Sequence, residues 1–471
     1  MKKIEFENIN FSYYNSYKKK IKNLEDISFS INAGEIILIV GDSGSGKSTL
    51  LNILNGIIPE VIEGHLEGNI KIDCKENLKI YERSLILGNV FQNPRSQFFT
   101  NNTTAELVFA MENYGFSYEE MELRLETISN KFNIKNLLNR DIFSLSSGER
   151  QFLALLTALI TNPSVIVFDE PSANLDYGNA MRLKGQITDL KKERKTIIIA
   201  DHRFYYLKGI IDRVFLIENK NIVEFKTEEE FSNSSYGKRV FSLFSHDFAQ
   251  QKVVKSVKEK VRVRDVSYRD ILENINTVFN EGEITTIVGI NGSGKTTLAR
   301  IISKVIKPNK GNIDIRDKLL YIMQDADFQL FGASVLKELE ITSKDSKRNE
   351  EALKLLNLWH LKDKHPQSLS GGEKQRLQLA ISLVSDAKVI IFDEPTSGLD
   401  KKSMERVLRL LKLLKKEKTI IIISHDYEFI RKSTDKVIYI KDSKIDKEFY
   451  LEKENIKTLN DIYGEMEAYY E

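Results

Sequence analysis

The sequence predicts an α/β protein whose largely parallel sheet, covered by crossover helices, is built twice along 471 residues. Three observations lead there. Apolar runs of strand length alternate with helical patterns, a glycine-rich loop joins strand to helix in two places, and the motifs of the first half recur in the same order in the second. Gly41-Asp-Ser-Gly-Ser-Gly-Lys-Ser-Thr49 returns as Gly289-Ile-Asn-Gly-Ser-Gly-Lys-Thr-Thr297, and Leu145-Ser-Ser-Gly-Glu-Arg-Gln151 as Leu369-Ser-Gly-Gly-Glu-Lys-Gln375. Val165-Ile-Val-Phe-Asp-Glu-Pro171 returns as Val389-Ile-Ile-Phe-Asp-Glu-Pro395, and Asp201-His202 is answered by Ser424-His425.

The spacing of the two copies locates their length differences. Lys47 and Lys295 stand 248 positions apart, Gln92 and Gln324 232, Ser146 and Ser370 224, and His202 and His425 223. The second copy is shorter around its glutamine, and the block from Leu145 to His202 is kept almost rigid. Glu35–Val40 reads as a buried strand, Ser48–Ile57 as a helix stopped by Pro59, and Phe152–Ile160 as a helix ended by Asn162-Pro163. Val165–Phe168 and Thr196–Ala200 read as further strands. The second copy repeats the series from Ile284 through a helix to Pro308, with Thr419–Ile423 as a late strand. Two domains are expected, at 1–236 and 257–471, joined by a connector at 237–256 that shows no clear period. From about Asp446 a strand end and a helical tail follow.

Composition narrows the function. A hydrophobic fraction of 41% supports real cores, while 70 Lys+Arg against 68 Asp+Glu leave a net charge of +2. That near balance removes the basic footprint of a protein that grips nucleic acid. A single cysteine, Cys74, excludes an internal disulfide framework or a multi-cysteine zinc site and suits a reducing cytoplasm. No apolar run approaches the roughly 20 residues of a spanning helix, and the charged start lacks the apolar core of a signal peptide. The runs Lys18–Lys20, Lys191–Arg194 and Lys415–Lys418 read as solvated turns and helix faces, and Trp359 as a core residue.

The motifs carry phosphate chemistry. Gly-x4-Gly-Lys-[Ser/Thr] between a strand and a helix turns backbone N–H groups and a helix N-terminus toward phosphate. The candidates are Gly41, Asp42, Ser43, Gly44, Ser45, Gly46, Lys47, Ser48 and Thr49, and then Gly289, Ile290, Asn291, Gly292, Ser293, Gly294, Lys295, Thr296 and Thr297. Lys47 and Lys295 would bridge β- and γ-phosphates, and Ser48 and Thr296 would hold Mg²⁺. Asp169 and Asp393, each ending an apolar strand, would share the Mg²⁺ shell, while Glu170 and Glu394 would polarise the attacking water. Ser146-Ser-Gly-Glu149 and Ser370-Gly-Gly-Glu373 fit a helix-capping box and equally an anion site at a helix start.

In this order, the glycine loop, Leu-Ser-x-Gly-Glu, strand-Asp-Glu-Pro and downstream histidine resemble an ATP-binding cassette (ABC) ATPase, and both copies carry the full set. The resemblance implies two tandem P-loop NTPase domains. Each would have a RecA-like α/β core, an antiparallel β subdomain and a helical signature subdomain. It implies a head-to-tail pairing within the chain, so that each ATP meets the glycine loop of one cassette and the signature of the other. One site would then draw on Ser370, Gly371 and Gly372, the other on Ser146, Ser147 and Gly148. Gln92 and Gln324 resemble the family's Mg²⁺-touching glutamines, and His202 and His425 its γ-phosphate histidines. Tyr13 and Tyr268 match the aromatic that stacks on adenine, and Asp176 and Asp400 the aspartate that couples the sites. Ser147 stands where the family usually has glycine, which implies two sites that both hydrolyse ATP, unequally.

Phe91-Gln-Asn-Pro-Arg-Ser-Gln-Phe-Phe99 and Met323-Gln-Asp-Ala-Asp-Phe-Gln-Leu-Phe331 share Gln-x4-Gln-x-Phe. That form resembles the ATPases of energy-coupling factor importers of vitamins, cobalt or nickel. The resemblance implies a transmembrane coupling subunit and a small substrate-binding membrane protein as partners, no nucleic acid, and a peripheral place on the cytoplasmic face of the cell membrane. A fused-cassette ATPase of a sugar or peptide importer is the alternative. A soluble ribosome-associated double-cassette ATPase fits less well, because the connector is short and the charge nearly balanced.

Overall fold

The computed structural model describes residues 2–14, 19–91, 97–173, 175–241, 258–396, 399 and 401–469. The chain divides into two compact units, one built essentially on each copy. In the first, a six-stranded sheet runs in the order Asn221–Phe225, Arg213–Glu218, Ile36–Val40, Thr196–Ala200, Val165–Asp169, Leu87–Val90. All neighbours are parallel except the outermost pair, Asn221–Phe225 on Arg213–Glu218. Every residue of Ile36–Val40 and Thr196–Ala200 is buried, as expected of parallel strands covered on both faces. An antiparallel sheet of Lys20–Asn32, Lys2–Tyr14, Gly64–Ile72 and Lys75–Glu76 forms a second layer.

The second unit repeats this plan. Its sheet order is Leu319–Ile322, Val389–Asp393, Thr419–Ile423, Ile284–Val288, Lys436–Lys441, Lys444–Tyr450, again with only the last pair antiparallel. Its antiparallel layer is Leu272–Asn280, Glu259–Tyr268 and Lys310–Ile315. In each unit one face of the main sheet packs under the signature helix, Ser147–Leu159 or Gly371–Val384, and the other under the glycine-loop helix and the antiparallel layer.

Several boundaries differ from the sequence reading. The first glycine-loop helix spans Lys47–Asn55, because Gly56 takes a left-handed conformation (φ 81°) that ends it two residues before Ile57. The signature helix starts at Ser147, five residues before Phe152, because Ser146 and Glu149 close a capping box. The helix Ser235–Phe241 runs through the expected 236/237 boundary. Lys418 is not solvated: it is 6% exposed and donates to the carbonyls of Ser385 (2.7 Å) and Ala387 (2.6 Å) just past the signature helix. Lys415 pairs with buried Asp435 at 2.6 Å. Trp359 is half-buried, with the ammonium groups of Lys354 and Lys362 over its ring. Cys74 is exposed. Among the described residues no helix is long and apolar enough to cross a membrane.

Candidate functional site

Each glycine loop leaves the end of a central strand and enters a helix. Gly46 and Gly294 sit at the helix starts with φ of 111° and 97°, a region that costs an L side chain strain. A Cβ on Gly41 would lie 2.7 Å from the carbonyl of Ile217, and one on Gly289 2.6 Å from that of Ile440. The loop therefore lies tight against the neighbouring strand. Inside it, Lys47 Nζ donates to Gly41 O (2.9 Å), and Lys295 Nζ to Gly289 O (2.9 Å) and Ile290 O (2.7 Å). Both lysines are buried, and burial holds Lys295 below the usual lysine range. Among the described residues, Ser45 Oγ and Ser293 Oγ are buried without a hydrogen-bond partner. Orphaned hydroxyls beside an ammonium at a helix start fit a polyphosphate.

The acids sit beside these loops. Ser48 Oγ donates to Asp169 Oδ1 and Thr296 Oγ1 to Asp393 Oδ1, both at 3.3 Å. Burial first, and then the neighbouring glutamates among other charges, push Asp169 and Asp393 up to about 6. A hydroxyl and a carboxylate held together, with a second carboxylate adjacent, are the hard oxygen donors that Mg²⁺ takes. Tyr321 Oη also donates to Asp393 Oδ2 at 2.8 Å, whereas Asn89 occupies the matching sheet position in the first copy.

Glu170 and Glu394 follow their strands in a left-handed conformation, φ 48° and 51°, and their N–H groups donate to the carbonyls of Ala200 and Ile423. For a glutamate this conformation costs about 1–2 kcal/mol, and it recurs at the same position of both copies. Both carboxylates face histidines, through different ring nitrogens. His202 Nε2 lies 3.3 Å from Glu170 Oε1 and 3.2 Å from Lys47 Nζ, while His425 Nδ1 lies 2.8 Å from Glu394 Oε1. Lysine, hydroxyl, aspartate, glutamate and histidine thus converge within each copy.

Other expected residues are placed as follows. Gln92 and Asp400 lie outside the described residues, as do the side chain of Ser147 and its contacts. Gln324 is exposed and lines a small recess with Asp393 and Glu394. Ser146 Oγ accepts the N–H of Glu149 (3.2 Å), and Glu149 Oε2 accepts the N–H of Ser146 (2.8 Å). The N–H and hydroxyl of Ser370 both donate to Glu373 Oε2. The capping reading is therefore realised at both signatures. Tyr13 bonds Thr49 through its hydroxyl (2.9 Å) and meets Phe11 edge-on, while Tyr268 lies under the Arg269 guanidinium.

The second glutamine of Gln-x4-Gln-x-Phe is a staple. Gln329 Oε1 accepts the N–H of Met323 (3.1 Å) and its Nε2 donates to Tyr321 O (2.7 Å). Gln97 Oε1 accepts the N–H of Phe91 (3.2 Å), and its Nε2 reaches Ala154 O and Thr157 Oγ1. Two buried glutamates that sequence reasoning missed finish each loop. Glu106 Oε2 accepts the N–H groups of Phe99 and Thr100, and Glu338 Oε2 those of Phe331 and Gly332. Between staple and carboxylate, Phe99 and Phe331 stand 75% and 77% exposed. The glutamates sit in the first turn of the following helix, and no local motif sets them apart there.

Comparison with known proteins agrees. The ABC transporter family profile matches residues 24–173 and 272–397. A Treponema denticola protein described as an ABC transporter ATP-binding protein is 38% identical, over 96% of this chain and 98% of its own length. One so described from Methanosarcina mazei is 30% identical over 94% of each. Among solved structures, an archaeal ribosome recycling factor, aABCE1, matches with a TM-score of 0.66 at 22% identity, covering 96% of this chain and 92% of that one. That likeness is one of fold. With both copies matched, and with a phosphate loop, hard-oxygen donors and a carboxylate–histidine pair in each, this chain belongs to the ABC transporter family as an ATPase with two cassettes that use ATP with Mg²⁺.

Proposed function

We propose that the chain is the ATP-hydrolysing subunit of an energy-coupling factor type importer. It would sit at the cytoplasmic face of the cell membrane and drive uptake of a vitamin or transition-metal ion through a transmembrane coupling subunit and a small substrate-binding membrane protein. The observation that carries this reading is the pair of loops from Phe91 to Phe99 and Met323 to Phe331. In each a glutamine bonds the main chain at the start, a buried glutamate accepts the N–H of Phe99 or Phe331, and that aromatic ring is exposed to solvent. Ordering an exposed aromatic in advance lowers the entropy lost when a partner helix docks on it. The relatives along nearly the whole chain are described as ABC transporter ATP-binding proteins, which supports a transport role.

In the proposed chemistry, Lys47 and Lys295 bind the β- and γ-phosphates, and Ser48 with Asp169, and Thr296 with Asp393, hold Mg²⁺ beside Gln92 and Gln324. The ion, when bound, neutralises phosphate charge. Glu170 and Glu394 orient the attacking water and accept its proton, and His202 and His425 fix the glutamates and meet the γ-phosphate. Tyr13 and Tyr268 are proposed adenine contacts. Ser146, Ser147 and Gly148, and Ser370, Gly371 and Gly372, are proposed phosphate contacts at their capped helix starts.

The test is to purify the tagged chain from native membranes in mild detergent and identify its companions by mass spectrometry. A multi-spanning coupling subunit with one or more small hydrophobic proteins is the expected result. Recovery from the soluble fraction with ribosomal proteins would overturn the transport reading and leave the ATPase chemistry standing.

A further inference from the structure

The helical tail touches the second ATP site. Leu459, Ile462, Tyr463 and Met466 form the buried stripe of the helix Ile456–Ala468. That stripe packs with Val288, the last residue of the strand before the glycine loop, and with Ile290 inside the loop itself. Tyr463 Oη, buried, donates to the main-chain carbonyl of His425 at 2.8 Å. The ring of Tyr427, two residues past the histidine, meets the ring of Tyr463 edge-on at 5.0 Å between centroids. Glu465 ties the helix to the terminal hairpin through Lys441 (3.0 Å) and Lys447 (2.7 Å).

The first cassette has a counterpart built from different residues. After its own terminal hairpin, the helix Glu228–Asn233 buries Phe231 edge-on against Phe204, two residues past His202. In the following helix Tyr236 Oη reaches Asp42 Oδ1 of the glycine loop at 3.5 Å. In the first cassette the two contacts are divided between successive post-hairpin helices, whereas in the second the single helix Ile456–Ala468 makes both.

We propose that the helix Ile456–Ala468 is a positioning element of the second ATP site. Tyr463 is its positioning residue, holding the main chain of His425 where the imidazole meets Glu394. This rests on the proposed role of His425 at the γ-phosphate. The histidine lies in the short turn between the strand Thr419–Ile423 and the helix Tyr427–Ser433, and the buried hydrogen bond from Tyr463 fixes its carbonyl. The site at Lys295 is then sensitive to whatever holds or frees the C-terminal helix, without any change in the residues that touch nucleotide.

The experiment uses the full chain carrying Glu170→Gln, so that turnover reports the second site, with and without Tyr463→Phe. Hydrogen exchange of the nucleotide-free chain and steady-state ATP hydrolysis are both read. With one hydrogen bond removed and the ring retained, exchange in peptides covering 424–432 should rise about fivefold while that of the strand Ile284–Val288 is unchanged. The kcat should fall about fivefold with KM for ATP within about twofold. Unchanged exchange and kcat would overturn the proposal. So would exchange rising throughout the cassette with kcat and KM moving together, since the helix would then be packing alone. His425→Ala in the same background separates the premise: if it leaves turnover intact, the role of His425 falls and the proposal with it. If it abolishes turnover while Tyr463→Phe is silent, only the proposal falls.

Discussion

Replacing Glu338 by alanine should release the loop that presents Phe331 without touching ATP chemistry. The carboxylate is 5% exposed, and one oxygen accepts the N–H groups of Phe331 (2.8 Å) and Gly332. A hydrogen bond to a charged acceptor contributes about 1.5–3 kcal/mol, so the pair sets a ceiling of about 3–6 kcal/mol. Phe331 is 77% exposed, and its freed amide recovers part of that from water. A net loosening of about 2–4 kcal/mol follows. Converted at 1.36 kcal/mol per decade, exchange of the amides at 331 and 332 should accelerate about 30- to 1000-fold. Glu338→Gln keeps an acceptor oxygen and loses only its charge, so it should cost about half as much. The assay is hydrogen exchange on peptides spanning 326–334, with ATP hydrolysis of the isolated chain as the control that stays level. Unchanged exchange at 331 and 332, or a glutamine variant as damaging as alanine, would refute the reasoning.

Other outcomes are as definite. Glu170→Gln and Glu394→Gln should each lower steady-state phosphate release by an unequal share, and the double variant should lose about 10²–10⁴-fold; unchanged turnover in Glu394→Gln would mean that the second site does not hydrolyse. Tyr321→Phe frees Asp393 Oδ2 from its hydrogen bond, so the second site's Mg²⁺ requirement, titrated in the Glu170→Gln background, should rise about tenfold. Burial, and then the charges of Arg348 and Lys388, lower Lys418 to about 8. The folded chain thus binds fewer protons than the unfolded one between about 8 and 10.5. Stability should therefore climb as pH rises through that window, by an upper limit of about 3 kcal/mol, and the penalty is fully present below pH 8. Denaturant unfolding of Lys418→Met against the parent at pH 7.5, 9 and 10.5 should show this slope missing in the variant.

The sequence by itself determined the duplication, the α/β sheet and the phosphate chemistry, because each depends on residues close together along the chain. A glycine loop must join its strand to its helix directly, and an aspartate and a glutamate must end one apolar run. Those constraints are local, so Lys47, Ser48, Asp169 and Glu170 and their copies were legible, and the structure brings Ser48 to Asp169 and Thr296 to Asp393 within hydrogen-bonding distance. The capping boxes at Ser146 and Ser370 were legible for the same reason.

Only the tertiary structure decided what depends on which elements stack. Tyr321 reaches Asp393 because neighbouring parallel strands set them side by side, 72 positions apart, and Tyr463 reaches His425 across 38. Glu106 and Glu338 look like ordinary first-turn acids until burial aims them at a loop seven residues back. Lys418 belongs to a run of lysines that composition assigns to solvent, yet the fold turns that one ammonium onto two carbonyls. Burial and long-range pairing are properties of the assembled layers, and no local period or motif encodes them.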